Sequence, residues 1–161
     1  MYDIVGAPLF AVTIDDSPVN IRTKICRLER QMMGLSGKFT ELPLEHLFAP
    51  GVYIRKIFLP EGSIIVGKLH RHAHANIIAK GKVSVITEFE QATYTGYCQF
   101  TTPAATKRAL AVLEDTIWVC VHLNPDNLTD LDELEEMIIA KSYTEIGMED
   151  PALEPLLEGE T

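Results

Sequence analysis

Hydrophobic positions along this chain change their period twice. Between residues 17 and 33, SPVNIRTKICRLERQMM, apolar side chains recur at Ile21, Ile25, Leu28 and Met32, spacings that lay one stripe along a helix. Ser17 suits the N-cap, Pro18 suits the first helical position, where its missing N–H does no harm, and Gly34 supplies a stop. The stripe predicts packing on the body of the protein, with a neighbouring subunit as the other cover. Residues 35–51, rich in Pro and Gly, read as a connecting arm.

From Val52 to Leu123 short runs rich in Val, Ile, Thr and Tyr alternate with turn signals. VYIRKIFL closes at Pro60-Glu61-Gly62, SIIVGKLHRHAHANIIA at Lys80-Gly81, KVSVITEF at Glu90-Gln91 and TYTGYCQF at Thr102-Pro103. TKRALAVL and TIWVCVHL are divided by Glu114-Asp115, read as a turn. Strands at this spacing predict an all-β sandwich or barrel, and too few helical periods lie between them for βαβ units. After Asn124-Pro125 the helical period returns in TDLDELEEMIIAK. Thr129 with Asp132 three residues on marks its start, and Leu131, Leu134 and Ile138 form its apolar face. GMEDPALEPLLEGET is acidic and interrupted by prolines, an appendage whose leucines could dock on a partner. The expected organisation is one globular domain: an N-terminal helix and arm (1–46), a β body (47–124), and a C-terminal helix with an acidic tail (125–161).

Charge changes this picture only once it is located. The chain of 161 residues has a formal net charge of −9, but 11 of its 23 acids fall in residues 129–161 against one base, Lys141. Residues 1–128 hold the other 12 acids and 13 bases, so the body is nearly neutral. No basic stripe suited to a phosphate backbone stands out, and nucleic acid is not an expected partner. No apolar run approaches the roughly 20 residues of a membrane span, and MYDIVGAPLFAVTIDD lacks the pattern of a signal peptide. Cys26, Cys98 and Cys120 are odd in number, widely spaced and without a C-x-x-C pair, which argues against a disulfide framework and fits a reducing cytosol.

The sharpest chemical feature is GKLHRHAHAN, which places His70, His72 and His74 within five residues, followed by Asn76. On one strand, period-two alternation would turn all four side chains to one face, close enough for the imidazoles to converge on an ion or ligand. Imidazole suits Zn, Fe, Cu, Ni or Mn, so a divalent transition metal is the candidate cofactor; a packed histidine cluster without metal is the alternative. His46, in LEHLFAP, reads as a packed or capping histidine. Trp118, Cys120 and His122 share one face of their run, with Ile117, Val119 and Val121 on the other. Lys80-Gly81-Lys82 is a turn, not a phosphate loop, and neither a G-x-S-x-G elbow nor a cysteine with an evident histidine partner is present.

Two segments, PEGSIIVGKLHRHAHANIIAKGKVSV and FTTPAATKRALAVLEDTIWVCVHLNP, resemble the two motifs of a single-domain cupin. More narrowly, with FAPGVYIRKIFLPEGSIIVGK before them, they resemble the small cupin-like proteins common in bacteriophage genomes. The resemblance covers roughly Leu47–Asn124 and implies a cupin-like jelly-roll barrel, with association into homo-oligomers through added strands or arms. It departs from the family at the metal ligands. Counting back from Gly81 puts His74 at the usual glutamate position, His70 at the second histidine and Lys68 at the first, while Arg108 stands where the second motif has its histidine. A guanidinium stays protonated and is no metal ligand. Either His122 repairs the ligand set, although it lies at the far end of its run, or the metal is absent and Arg108 joins the histidines in a cationic pocket.

Three functions follow. The leading expectation is a non-enzymatic accessory protein that binds a small anionic molecule through His70, His72, His74, Asn76 and Arg108. A structural protein of a virion or oligomeric assembly, meeting other phage or host proteins, is the second. The third is a metal-dependent isomerase, epimerase, lyase or dioxygenase, with His70, His72 and His74 holding the ion. The expected location is the cytoplasm, that of the host if the chain is phage-encoded, or the virion.

Overall fold

A computed structural model describes residues 2–5, 18–35 and 42–151 of the chain. Among the described residues eight strands carry the body, and two of them organise it: β6 (His74–Thr87) and β9 (Arg108–Asn124), of 14 and 17 residues, paired antiparallel along most of their length. The end of β9 pairs with β3 (Gly51–Leu59), which pairs with β2 (Leu44–Ala49), while the start of β6 pairs with β8 (Cys98–Thr102). The start of β9 pairs with β4 (Ser63–Val66), which pairs with β1 (Tyr2–Val5), while the end of β6 pairs with β7 (Gln91–Thr95). The two long strands are thus shared by two layers, β2-β3-β9-β6-β8 and β1-β4-β9-β6-β7, closed on each other as a cupin-like jelly roll. Ile57, Ile78, Trp118 and Cys120 from one layer and Ile65, Val83, Val85, Leu110 and Val112 from the other form the common core.

Two expected turns are bends inside these strands. Lys80-Gly81 does not end a strand: β6 runs through it, with shifts of register against β9 between Ile78 and Val83. Glu114-Asp115 is likewise interior to β9. Gly81 has φ of 92°, and a Cβ there would collide with the Asp115 carbonyl oxygen and Thr116 Oγ1 and sit 2.6 Å from Thr116 Cα. This is a bulge at which two backbones approach without an intervening side chain, letting both strands turn from one layer to the other. The pattern predicted a break because a glycine between apolar runs signals a hairpin as well as a bulge. Leu44–Ala49, expected within the connecting arm, is an edge strand held by its register with β3.

The first helix, α1 (Pro18–Gly34), follows its apolar stripe, and Ser17 lies outside the described residues. Ile25 and Met32 are buried against Val66, with Ile64 and Ala109 beside them, so within the chain the stripe is covered by the β4 layer. Lys107 Nζ bonds Glu29 Oε1 at 2.7 Å and Arg22 Nε bonds Glu88 Oε2 at 2.6 Å, fixing the helix laterally. The second helix, α2 (Leu131–Ile138), starts one residue later than expected: Asp130 is the N-cap, its side chain accepting from the N–H groups of Asp132 and Glu133. Leu134 and Ile138 are buried, but Leu131 is exposed. Residues 152–161 of the acidic tail lie outside the described residues. No helix among those described is long and apolar enough to cross a membrane.

The bend carries a prediction. Gly81→Ala should destabilise the protein by about 2 kcal/mol or more in urea unfolding, since it adds a collision to the strain of positive φ. Gly62→Ala, also at positive φ but with open space around it, should cost about 1 kcal/mol. Equal losses would show that the backbone contact is not what Gly81 serves.

Candidate functional site

Between β4 and β6 the chain does not continue as one strand. β5 (Leu69–His70) leaves the main sheet to pair with β10 (Ile139–Ala140), and β6 begins only at His74. The C-terminal segment claims this stretch: Arg71 N–H donates to Ile138 O, and Arg71 Nε and Nη2 reach Ile139 O and Glu145 Oε2 at 3.0 and 2.6 Å. Period-two alternation therefore fails across 71–73. His70 and His74 are buried inside, while His72 is exposed and lies outside the cluster that the run of histidines predicted. The correction has a physical cause: a strand bound to a second partner need not keep the first partner's pleat.

His122 takes the place of His72. Antiparallel register sets Asn76 opposite Cys120, so two residues further along His74 and His122 share an inward row, continued by Tyr53 on β3 and Thr102 on β8. Ring centroids of His70 and His74 are 4.2 Å apart, those of His74 and His122 4.8 Å, and those of His70 and His122 5.4 Å. His122 lies far from His70 along the chain but beside it in the fold. Tyr53 stacks on His122, and its hydroxyl lies 2.8 Å from His46 Nδ1, so His46 is a packed histidine as expected.

Each of the three can offer one nitrogen to a group lying within 4.8 Å of one another. Both ring nitrogens of His70 and the Nε2 atoms of His74 and His122 are buried without a hydrogen-bond partner. Buried polar atoms rarely go unpaired, because desolvation without a partner costs about 1–3 kcal/mol each. His74 Nδ1 faces the His72 carbonyl at 3.4 Å; donating there would leave Nε2 with its lone pair turned to the cluster. Burial is the main force on all three titrations, and positive neighbours add to it. It pulls His74 down to about 4 and His122 to about 3, with His70 lower still; Arg55 and Arg108 act in the same direction. At neutral pH the rings are uncharged and hold free lone pairs. These residues fit a divalent transition ion.

Asn76, expected as a ligand, is committed to the protein. Its Oδ1 accepts from Trp118 Nε1 at 2.9 Å and from Arg108 Nη1 at 3.5 Å, and its Nδ2 donates to Thr102 Oγ1 at 2.9 Å. Arg108 is buried, lies over the Trp118 ring at 4.8 Å, and has neutral hydrogen-bond partners in Asn76 and Thr102. Gly67 makes room for it, since a Cβ there would sit 3.1 Å from Arg108 Cγ. Arg108 lines a cleft with residues of β6, β7, β8 and the loop after β8; the three histidines are not among those lining it, but Thr102, opposite His74 in the β6–β8 register, borders both. Sequence reasoning missed Arg55. It pairs with Cys120 and so faces inward, and its Nε is buried without a partner.

These titrations predict acid sensitivity of the metal-free protein. In the unfolded chain the rings take up protons near pH 6.5; in the folded chain they do so only well below it, so the unfolded state binds more protons as pH falls. Stability is full above about 6.5 and declines toward pH 4, by up to about 1.4 kcal/mol per pH unit for each ring. Urea unfolding in EDTA at several pH values measures this, and His74→Asn should reduce the slope. A flat profile between pH 7 and 5 would mean that the rings are solvated.

No protein-family model and no curated relative matches the chain. Solved structures similar to it include a cupin superfamily protein from Desulfitobacterium hafniense (12% identity, TM-score 0.46, covering 55% of this chain and 83% of that one). Another is an RmlC-like cupin family protein with a double-stranded β-helix fold from Methanocaldococcus jannaschii (20%, 0.44, 56% and 87%). A third is the EutQ protein of Clostridium difficile (13%, 0.46, 58% and 74%).

Proposed function

We propose that this protein binds a small anion inside its barrel at a divalent transition metal held by His70, His74 and His122. The observation that carries the reading is the set of buried imidazole nitrogens without hydrogen-bond partners, gathered from β5, β6 and β9. A metal ion would satisfy one nitrogen of each ring and, when bound, would act as a Lewis acid toward whatever fills its open positions. The anion follows from charge. Arg55 and Arg108 already press on the three rings, and among the described residues no carboxylate joins the cluster. A dication in that interior needs negative charge brought from outside. Arg55, with its unpartnered Nε, is the residue placed to attract it.

Binding ranks ahead of catalysis because, among the described residues, no carboxylate joins the cluster to serve as general acid or base beside the imidazoles. A metal-dependent enzyme is the second reading, favoured by the same three-ligand set, which leaves positions for a substrate. The bacteriophage association implied by the resemblance forms no part of this reading, since nothing in the site bears on it.

Titration of EDTA-stripped protein with Co(II), followed by its visible absorption, should give one equivalent bound, with tighter binding when thiocyanate is present, because anion and cation sites assist each other reciprocally. His74→Ala and His122→Ala should each weaken binding by about tenfold or more, while His72→Ala leaves it unchanged. Less than about a tenth of an equivalent, or equal affinity in all variants, would overturn the proposal.

A further inference from the structure

The cleft beside the histidine cluster has a chemistry of its own. Its volume is about 250 Å³, room for about eight waters, and residues of β6, β7, β8 and the start of β9 line it. Arg108 closes its inner end and Glu90, exposed, stands at the rim. Tyr94 and Phe100 stack at 4.0 Å between centroids and line it together with Val85 and Phe89. The inner end is thus cationic and the walls flat and apolar.

Two features at the inner end ask for an acceptor. Arg108 forms no ion pair among the described residues; its guanidinium is held by Thr102, Asn76 and the Trp118 ring, all neutral. A buried cation balanced only by dipoles attracts an anion more strongly than one neutralised by a carboxylate. Thr102 Oγ1 accepts from both Asn76 Nδ2 and Arg108 Nη1, at 2.9 and 3.1 Å, which uses its two lone pairs. Its own proton remains to be donated, and no acceptor for it is found among the described residues. Thr87 and Thr106 differ: their hydroxyls bond the backbone at Glu90 O and Pro103 O.

We propose that this cleft is a binding site for a small organic carboxylate with a flat apolar body, its acid group on Arg108 and Thr102 and its body along Tyr94 and Phe100. The site borders the metal cluster at Thr102, which lies opposite His74 in the β6–β8 register, and requires no metal. Asn76 stands between them, bonded to Arg108 on one side and following His74 on the other. Glu90 at the rim sets an orientation, since a second anionic group at the outer end of the ligand would meet its carboxylate.

Trp118 is the chain's one tryptophan and lies directly against the Arg108 guanidinium, so its fluorescence reports on the site. Benzoate added to EDTA-treated protein at low salt should change this emission saturably, with benzamide, the uncharged analogue, weaker by about tenfold or more. Arg108→Met should abolish the response, and Phe100→Leu should weaken it, while His122→Ala should leave it intact even as Co(II) binding is weakened. The benzoate–benzamide comparison uses unaltered protein and holds even if Arg108→Met fails to fold. No saturable response up to about 20 mM benzoate, or equal affinity for the two probes, would overturn the assignment. A benzoate response lost in His122→Ala would instead place the anion at the metal cluster and also contradict it.

Discussion

At Gly81 two long strands touch backbone to backbone, with no room for a side chain between Gly81 and Thr116. Because β6 and β9 both fold over at this contact, residues at similar distances on either side of it return to the same end of the barrel. Arg108 and His122 each lie seven residues from Asp115, on different layers of one strand. The hydrogen bonds from Arg108 on one layer to Asn76 and Thr102 on the other show that the layers meet there. A loop of two flexible turns in place of the bend would not fix these groups to the tolerance that metal or carboxylate recognition needs.

The same end of the barrel holds neutral imidazoles and permanent guanidinium charge a short distance apart, and one buried side chain links them. Asn76 does so with five contacts, satisfying Trp118, Thr102 and Arg108 at once. On one side Arg108 is held over Trp118 and lines the cleft. On the other, His70 and His122 stack and His74 lies tilted against both, ordered by Tyr53 and by the detour of β5 toward β10. Burial, with the positive field added to it, keeps the imidazoles unprotonated, which is the state a metal requires.

Much of this was legible in the residues. The change of period from helix to strand and back gave α1, the β body and α2, and the stripe of Ile25 and Met32 is buried as the spacing requires. Alternation alone put Trp118, Cys120 and His122 on one face, and the fold shows that this face is the buried one. What stayed hidden depends on pairing between distant segments. His72 reads as a ligand until β5 is seen bonded to β10, and Arg55 gives no sign in VYIRKIFL until its register with Cys120 turns it inward. His122 was underrated because separation along the chain was taken for separation in space. Gly81 was read as a turn because a glycine that lets two backbones approach and one that ends a hairpin leave the same local trace.

The central claim is that three imidazoles from β5, β6 and β9 hold one metal ion. X-ray absorption at the metal edge of the Zn(II)-loaded protein tests it most directly. The account predicts a coordination shell with three imidazole nitrogens at about 2.0–2.1 Å and one or two further oxygen or nitrogen ligands. A shell made only of oxygen, or one containing sulfur at about 2.3 Å, would contradict it.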